Sequence, residues 1–322
     1  MDYDRFELGD FGCQEGGVIE AASLAYRTWG ALNGSRDNAI LLPSYYTGTH
    51  RSYEAMIGEG LALDPSRWFI IAVNAFGNGL SSSPSHGQPG FPHVSLADNV
   101  NAQHRLVFEE LGVERLAMVG GWSMGAMQAY AWGALHPHAM DRVAAWCGSA
   151  QCWPLNQVFL EGLEAILRAD LTPDRKAGLR AFGRAYAGWA YSAAFFRDAL
   201  YRSIGFADLE AFLRFWEADH EAWDYRDLLA KLRTWRDAAP SRLIPGDRLE
   251  DYLGRIEART LVMPCDNDAY FTPDECQIEA GLIRDSDFQI IKSPFGHCAG
   301  APGRDPGAMA VIDAALKRHL ES

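Results

Sequence analysis

The segment Leu116-Ala-Met-Val-Gly-Gly-Trp-Ser-Met-Gly-Ala-Met-Gln-Ala-Tyr-Ala-Trp-Gly-Ala-Leu135 begins as a short apolar strand, Leu116 to Val119. It passes through Gly121-Trp122-Ser123-Met124-Gly125 and continues as a helical pattern from Ala126 to Leu135. A serine on so sharp a strand-to-helix turn is forced into a strained backbone, and its hydroxyl projects above the sheet. Small residues are needed two places before and two after it, because a side chain there collides with the neighbouring strand or helix. The following helix directs its positive end toward an oxyanion forming beside the serine. In a chain with 31 glycines the same spacing also arises as an ordinary tight turn. The strand before and the helix after favour a nucleophile at Ser123.

Working outward, Ala39 to Leu42 and Trp68 to Val73 read as strands buried on both faces, and Ser52 to Leu63 and Val100 to Leu111 as helices. That alternation predicts a mainly parallel sheet with helices on both faces. Residues 151–248 read as helices throughout and are rich in aromatics, among them Trp189, Phe195, Phe212, Trp216 and Trp223. Strand character returns at Thr260 to Met263 and Phe288 to Ile291, and Gly307 to Leu320 closes as an amphipathic helix. The expected organisation is an α/β core, residues 1–150 and 249–322, interrupted by a helical subdomain, 151–248. That subdomain either packs as a second core or roofs a site as a lid.

The 322 residues carry 29 Lys and Arg against 42 Asp and Glu, a net charge of −13 with a pI near 5.1. Such an acidic chain lacks the basic patch that a grip on nucleic acid requires. No run of 18 apolar residues spans a bilayer, and Met1-Asp2-Tyr3-Asp4-Arg5 lacks the apolar core of a secretory signal. Six cysteines are scattered without CxxC spacing, which points to reduced thiols. No histidine–carboxylate cluster has metal-ligand spacing, and no glycine-rich phosphate loop is present. The expectation is a soluble, cytoplasmic enzyme that needs no metal or cofactor.

A serine nucleophile needs a base, and the base an orienting carboxylate. Where the nucleophile sits on a strand–turn–helix elbow, acid and histidine follow it in that order. His297, in Ser293-Pro-Phe-Gly-His-Cys-Ala-Gly300, lies in a glycine-flanked loop after the last expected strand. The other eight histidines lie in helices or precede the serine. For the acid, the turn Pro264-Cys-Asp-Asn-Asp-Ala-Tyr-Phe-Thr-Pro273 offers Asp266 and Asp268. Asp268 is favoured by its position relative to Pro273, while the other caps backbone amides. An oxyanion hole needs two backbone N–H groups. Met124, directly after the nucleophile, is one candidate, and Tyr46, in the loop Pro43-Ser-Tyr-Tyr-Thr-Gly-Thr-His50, is the other.

With these segments in order, the sequence resembles the homoserine O-acetyltransferase family of the α/β-hydrolase fold. Leu24-Ala-Tyr-Arg-Thr-Trp-Gly-Ala-Leu-Asn33 and Asp37-Asn-Ala-Ile-Leu41 are similar to its opening strands. Thr47-Gly48 falls in its oxyanion loop, and Asn74-Ala-Phe-Gly77 follows its next strand. Phe91-Pro-His-Val-Ser-Leu-Ala-Asp98 leads toward the elbow, where Ser123-Met-Gly-Ala-Met-Gln128 closely follows Ser-Met-Gly-Gly-Met-Gln. The resemblance implies the same triad of Ser123, Asp268 and His297, and a homodimer formed through the lid. The chain departs from the family at Ser44-Tyr45-Tyr46, at Trp122, at Ala126 and at Cys298, which replaces an aspartate that helps hold an amino-acid acceptor. Tyr45, Trp122 and Cys298 are placed in the substrate pocket.

Acylation of serine is shared by hydrolases and acyltransferases, which differ in whether water or a bound alcohol resolves the intermediate. An amino-acid acceptor needs a cation for its carboxylate and an acid for its ammonium, and these tethers are altered here. Hydrolysis of a small ester or amide is therefore the favoured expectation. The first alternative is an O-acyltransferase moving acetyl or succinyl from acyl-CoA to an alcohol. The second is a ligand-binding homologue without catalysis.

Overall fold

The computed structural model describes residues 2–321. Eight strands form one sheet: β1 (Asp4–Gly12), β2 (Val18–Trp29), β3 (Ala39–Pro43), β4 (Phe69–Val73), β5 (Leu116–Trp122), β6 (Arg142–Trp146), β7 (Arg259–Met263) and β8 (Ser286–Phe288). Their spatial order is β1-β2-β4-β3-β5-β6-β7-β8. β2 pairs antiparallel with β1 and β4, and every later pairing is parallel. The central strands β3 and β5 are buried along their whole length, as strands covered by helices on both faces must be. This is the expected α/β architecture, an α/β-hydrolase fold in its strand order and crossovers.

Helices α1 (Leu96–Arg105) and α2 (Met124–Leu135) flank the centre of the sheet. A capping box between Ser95 and Asp98 starts α1, so the helix expected from Val100 begins four residues earlier, and its last turn (106–110) widens to a π-helix. Between β6 and β7 run α3 (Pro154–Ala169), α4 (Lys176–Ala190), α5 (Ala193–Arg197), α6 (Leu209–Glu221), α7 (Tyr225–Arg236), α8 (Pro240–Leu243) and α9 (Leu249–Gly254). No strand interrupts them. α10 (Pro273–Ala280) follows β7, and α11 (Pro306–Glu321) ends the described chain. Among the described residues no helix is long and apolar enough to cross a membrane.

Three local expectations need correction. The helix expected over Ser52 to Leu63 is a 3-10 helix, His50–Met56, after which Gly58 and a left-handed Gly60 (φ +75°) break the run. Asp64 accepts from the Gly60 amide there and stabilises a turn instead. The strand expected over Phe288 to Ile291 lies earlier, at Ser286–Phe288, and shares only Phe288 with the expected run, while Ile291 makes an isolated bridge to Cys265. Finally, β1 was not anticipated. Its acidic outer face and the pairing irregularity around Gly9 obscure the alternation that marks a half-buried strand.

Candidate active site

The elbow is built by close approach. Ser123 stands between β5 and α2 at φ 58° and ψ −126°, a region costly to any residue with a side chain. Its amide donates to Trp146 O at 3.2 Å, which pins the strained residue to β6. A Cβ on Gly121 would lie 2.6 Å from Gly125 C, and one on Gly125 would lie 2.7 Å from both Pro43 O and Tyr53 Oη. The sequence expectation that both positions must be small thus has a concrete cause. Ala126 is accommodated because the facing residue is Gly148, whose own Cβ would come within 2.6 Å of Ala126 Cβ.

His297 arrives from a 3-10 turn, Gly296–Ala299. Its Nε2 lies 2.9 Å from Ser123 Oγ and its Nδ1 lies 2.7 Å from Asp268 Oδ2. All three side chains are buried. The other Asp268 oxygen accepts from the amides of Tyr270 and Phe271 at 3.1 and 3.0 Å, so the carboxylate is anchored before it meets the imidazole. Asp266 is exposed and accepts from Ser293 N and Asn267 Nδ2. Of the two candidates only Asp268 reaches His297.

The expected pocket residues converge as well. Trp122 stacks on the His297 ring (centroids 4.8 Å apart, 29°) and its indole N–H donates to His297 O at 3.2 Å. Tyr45 packs edge-on against Trp122 at 4.4 Å. Cys298 is buried beside them, and burial pushes its thiol up to about 12, so it stays protonated and offers no competing thiolate. Tyr45, Trp122, Ser123, His297 and Cys298 line a cavity of about 40 Å³, closed on the other side by Tyr186, Trp216 and Tyr270. A second chamber of about 300 Å³ shares Tyr45, Trp122, Trp216 and Cys298 and reaches Asp219 and Arg304.

The backbone amides of Met124 and Tyr46 find no hydrogen-bond acceptor among the described residues. Met124 opens α2, where the first N–H groups have no intrahelical partner. Tyr46 follows the end of β3, with its phenol donating to Leu228 O on α7 at 2.9 Å.

Comparison with known proteins places this geometry. Residues 38–301 match the family model of the α/β-hydrolase fold. The chain belongs to that family. An ethyl acetate hydrolase of Pseudomonas veronii is 37% identical over 99% of this α/β-hydrolase and 96% of its own length. The solved structure of an acetylester hydrolase from Corynebacterium glutamicum is 35% identical, covers 99% of this chain and 96% of that one, and superposes with a TM-score of 0.95. A homoserine O-acetyltransferase of Chlorobaculum parvum is 36% identical over 45% of each chain. The resemblance read from the motifs is borne out. The ester hydrolases named here keep 35–37% identity over 99% of this chain, whereas the homoserine O-acetyltransferase of Chlorobaculum parvum reaches 36% over only 45% of it.

Among the residues around the cavity at Ser123 that sequence reading did not name are Tyr186 and Tyr270, which line it, and a lysine held against the Tyr45 carbonyl. Lys231, on α7, is fully buried and donates to Tyr45 O at 2.7 Å. Burial pushes its ammonium down to about 7, against a partial pull upward from Asp227. Asp227 and Lys231 are four apart on one helix, which in sequence looks like a solvated ion pair. Only the tertiary fold turns that face inward.

Proposed function

We propose that the protein hydrolyses short-chain carboxylic esters through an acyl-Ser123 intermediate. The observation that carries this is the imidazole of His297, within hydrogen-bond reach of both Ser123 Oγ and Asp268 Oδ2. As Ser123 Oγ attacks the ester carbonyl, its proton passes to His297 Nε2. The carbonyl oxygen takes the negative charge between the N–H groups of Met124 and Tyr46, where loss of one such donor costs about 10²–10³ in rate. The imidazolium, stabilised by Asp268, protonates the leaving alcohol and leaves the acyl ester on Ser123. Water then gives its proton to His297 while its oxygen attacks the acyl carbon. The acid departs and Ser123 recovers its proton.

The cavity of about 40 Å³ at Ser123 has room for little more than a methyl group, so the acyl portion is acetyl-sized and the alcohol extends toward the larger chamber. Two relatives with 35–37% identity over 99% of this chain are named as an ethyl acetate hydrolase and an acetylester hydrolase, which supports this reading. Residues 151–248 act as the lid, because Trp216 and Tyr186 close the cavity while Phe195, Phe212 and Trp235 are fully buried and pack it as a core. A homodimer through this lid is checked by sedimentation. A cytoplasmic location fits six cysteines that are all buried and free.

The test is hydrolysis of p-nitrophenyl esters of increasing acyl length. Acetate is the best substrate, with kcat/KM falling as the chain grows, and Ser123→Ala removes about 10⁴–10⁶ of kcat. A fluorophosphonate probe labels Ser123; a folded but unlabelled protein points to the non-catalytic alternative. The transferase reading draws on the homoserine O-acetyltransferase relatives. It gains if thiol release from acetyl-CoA depends on an added alcohol and outpaces ester hydrolysis.

A further inference from the structure

Resting on that reading, we infer that Lys231 is a positioning residue for the oxyanion hole. Its ammonium holds the Tyr45–Tyr46 peptide in the orientation that presents the Tyr46 N–H to the reacting carbonyl.

In a trans peptide the C=O of one residue and the N–H of the next lie in one plane and point in opposite directions. Whatever fixes the oxygen of Tyr45 therefore fixes the direction of the Tyr46 N–H. That oxygen receives two donors, one for each lone pair. Gly48 N closes the 45–48 turn at 3.0 Å, and Lys231 Nζ arrives from α7 at 2.7 Å. The turn bond is local and common to any loop of this shape. Below about pH 7 Lys231 is an ammonium and the bond is charge-assisted, polarising the amide so that its N–H donates more strongly. Above it the neutral amine still donates and keeps the peptide's orientation.

The surroundings show that the lysine is held for this contact. Its stem packs over Gly77, a left-handed residue (φ +81°) whose Cβ would sit 3.2 Å from Lys231 Cγ. One turn back on α7, Asp227 is buried and accepts from Ser85 N at 2.9 Å, which keeps a carboxylate near the ammonium without an ion pair within 4 Å. Burying an ammonium against a neutral carbonyl is costly, and an uncharged side chain of similar length packs such a site better. The arrangement is therefore poorly explained by packing. α7 also grips this loop by a second contact, Tyr46 Oη to Leu228 O, so the lid helix carries the oxyanion loop on two bonds.

The experiment is Lys231→Met with p-nitrophenyl acetate as substrate and a methyl trifluoromethyl ketone as inhibitor, whose Ser123 adduct places an oxyanion in the hole. The expected result is a 10- to 100-fold fall in kcat, KM within threefold of wild type, and an inhibition constant weakened by the same factor as kcat/KM. Lys231→Gln, a neutral donor on a shorter stem, falls between the two and keeps the test open should the Met variant not fold. Thr234→Val serves as control. It removes another α7 tether, Thr234 Oγ1 to Val94 O at 2.5 Å, and leaves kcat unchanged. A folded Lys231→Met or Lys231→Gln enzyme with wild-type kcat overturns the inference, as does an equal loss of kcat in Thr234→Val. If Ser123→Ala keeps wild-type activity, the hydrolytic reading itself fails. If Ser123→Ala is inactive and Lys231→Met is not impaired, only the role of Lys231 fails.

Discussion

The elbow at the end of β5 and the helices between β6 and β7 serve one site by different physics. At the elbow, backbone meets backbone. Gly121, Gly125 and Gly148 each stand where a single Cβ would come within 2.7 Å of another atom, and a strained Ser123 is over-determined by its neighbours. In the helical segment, contact is made by large side chains, with Phe159 stacked on Tyr270 at 4.6 Å and Trp235 on Phe271 at 5.5 Å. Gly162, on α3, faces open space, and close backbone approach is confined to the α4–α6 crossing, where a Cβ on Gly183 would lie 2.3 Å from Trp216 O. Rigid backbone geometry positions Ser123 beside His297, whereas bulky rings supply the walls of the cavity. A few polar tethers, above all Lys231 and Tyr46, join one region to the other.

The strongest test of this contrast concerns the acid. Asp268→Asn should lower kcat by about 10⁴, while Asp266→Asn, whose carboxylate meets Ser293 N, Asn267 Nδ2 and Cys265 Sγ but not His297, stays within a few-fold. Equal losses in steady-state assays would show that the site is not confined to the groups anchored by the core. Next in size, Gly121→Ala should destabilise the fold by about 3 kcal/mol in urea unfolding, since its Cβ has nowhere to go. A neutral outcome would mean the elbow is softer than its contacts imply.

Smaller for each pH unit, though cumulative, is a pH effect in the tether. Lys231 has a folded pKa of about 7 against an ordinary 10.5, so between these values the unfolded chain binds the extra proton and rising pH favours the folded state. Wild-type stability relative to Lys231→Met should therefore increase by about 1.4 kcal/mol per pH unit from pH 7 to 10, and stay level below pH 7, where both states are protonated. Parallel stability curves for the two proteins would place the ammonium in water rather than in the protein. The smallest effect is expected at Gly162→Ala, which should stabilise α3 by about 0.5–1 kcal/mol. Thermal unfolding of Gly162→Ala beside Gly121→Ala thus gives opposite signs for the same substitution in the two regions.

Legibility in the sequence followed the same division. The order serine, acid, histidine could be read because each group sits in a turn next to an apolar strand, at Trp122–Met124, Asp266–Tyr270 and Gly296–Cys298. The acid was narrowed to two aspartates two residues apart, with Asp268 favoured by its position relative to Pro273, and the contact between His297 Nδ1 and Asp268 Oδ2 singles it out. Ser52 to Leu63 was misread because its apolar spacing suits a helix, while Gly58 and Gly60 end it early. β1 escaped notice because its partner, β2, alone reveals which of its residues face inward.

Short-range features were determined by the chain itself: the strained serine, the glycines beside it, the parallel α/β sheet and the helical character of residues 151–248. These depend on steric limits and periodicity that act within a few residues. Tertiary structure decided which aromatics of the helices became core and which became wall, how small the space beside Ser123 is, and that a lysine of α7 turns inward to hold the Tyr45 carbonyl. Those outcomes rest on contacts between residues far apart in sequence, 186 positions in the case of Lys231 and Tyr45. No local pattern records such contacts, because burial and orientation exist only once the elements have packed.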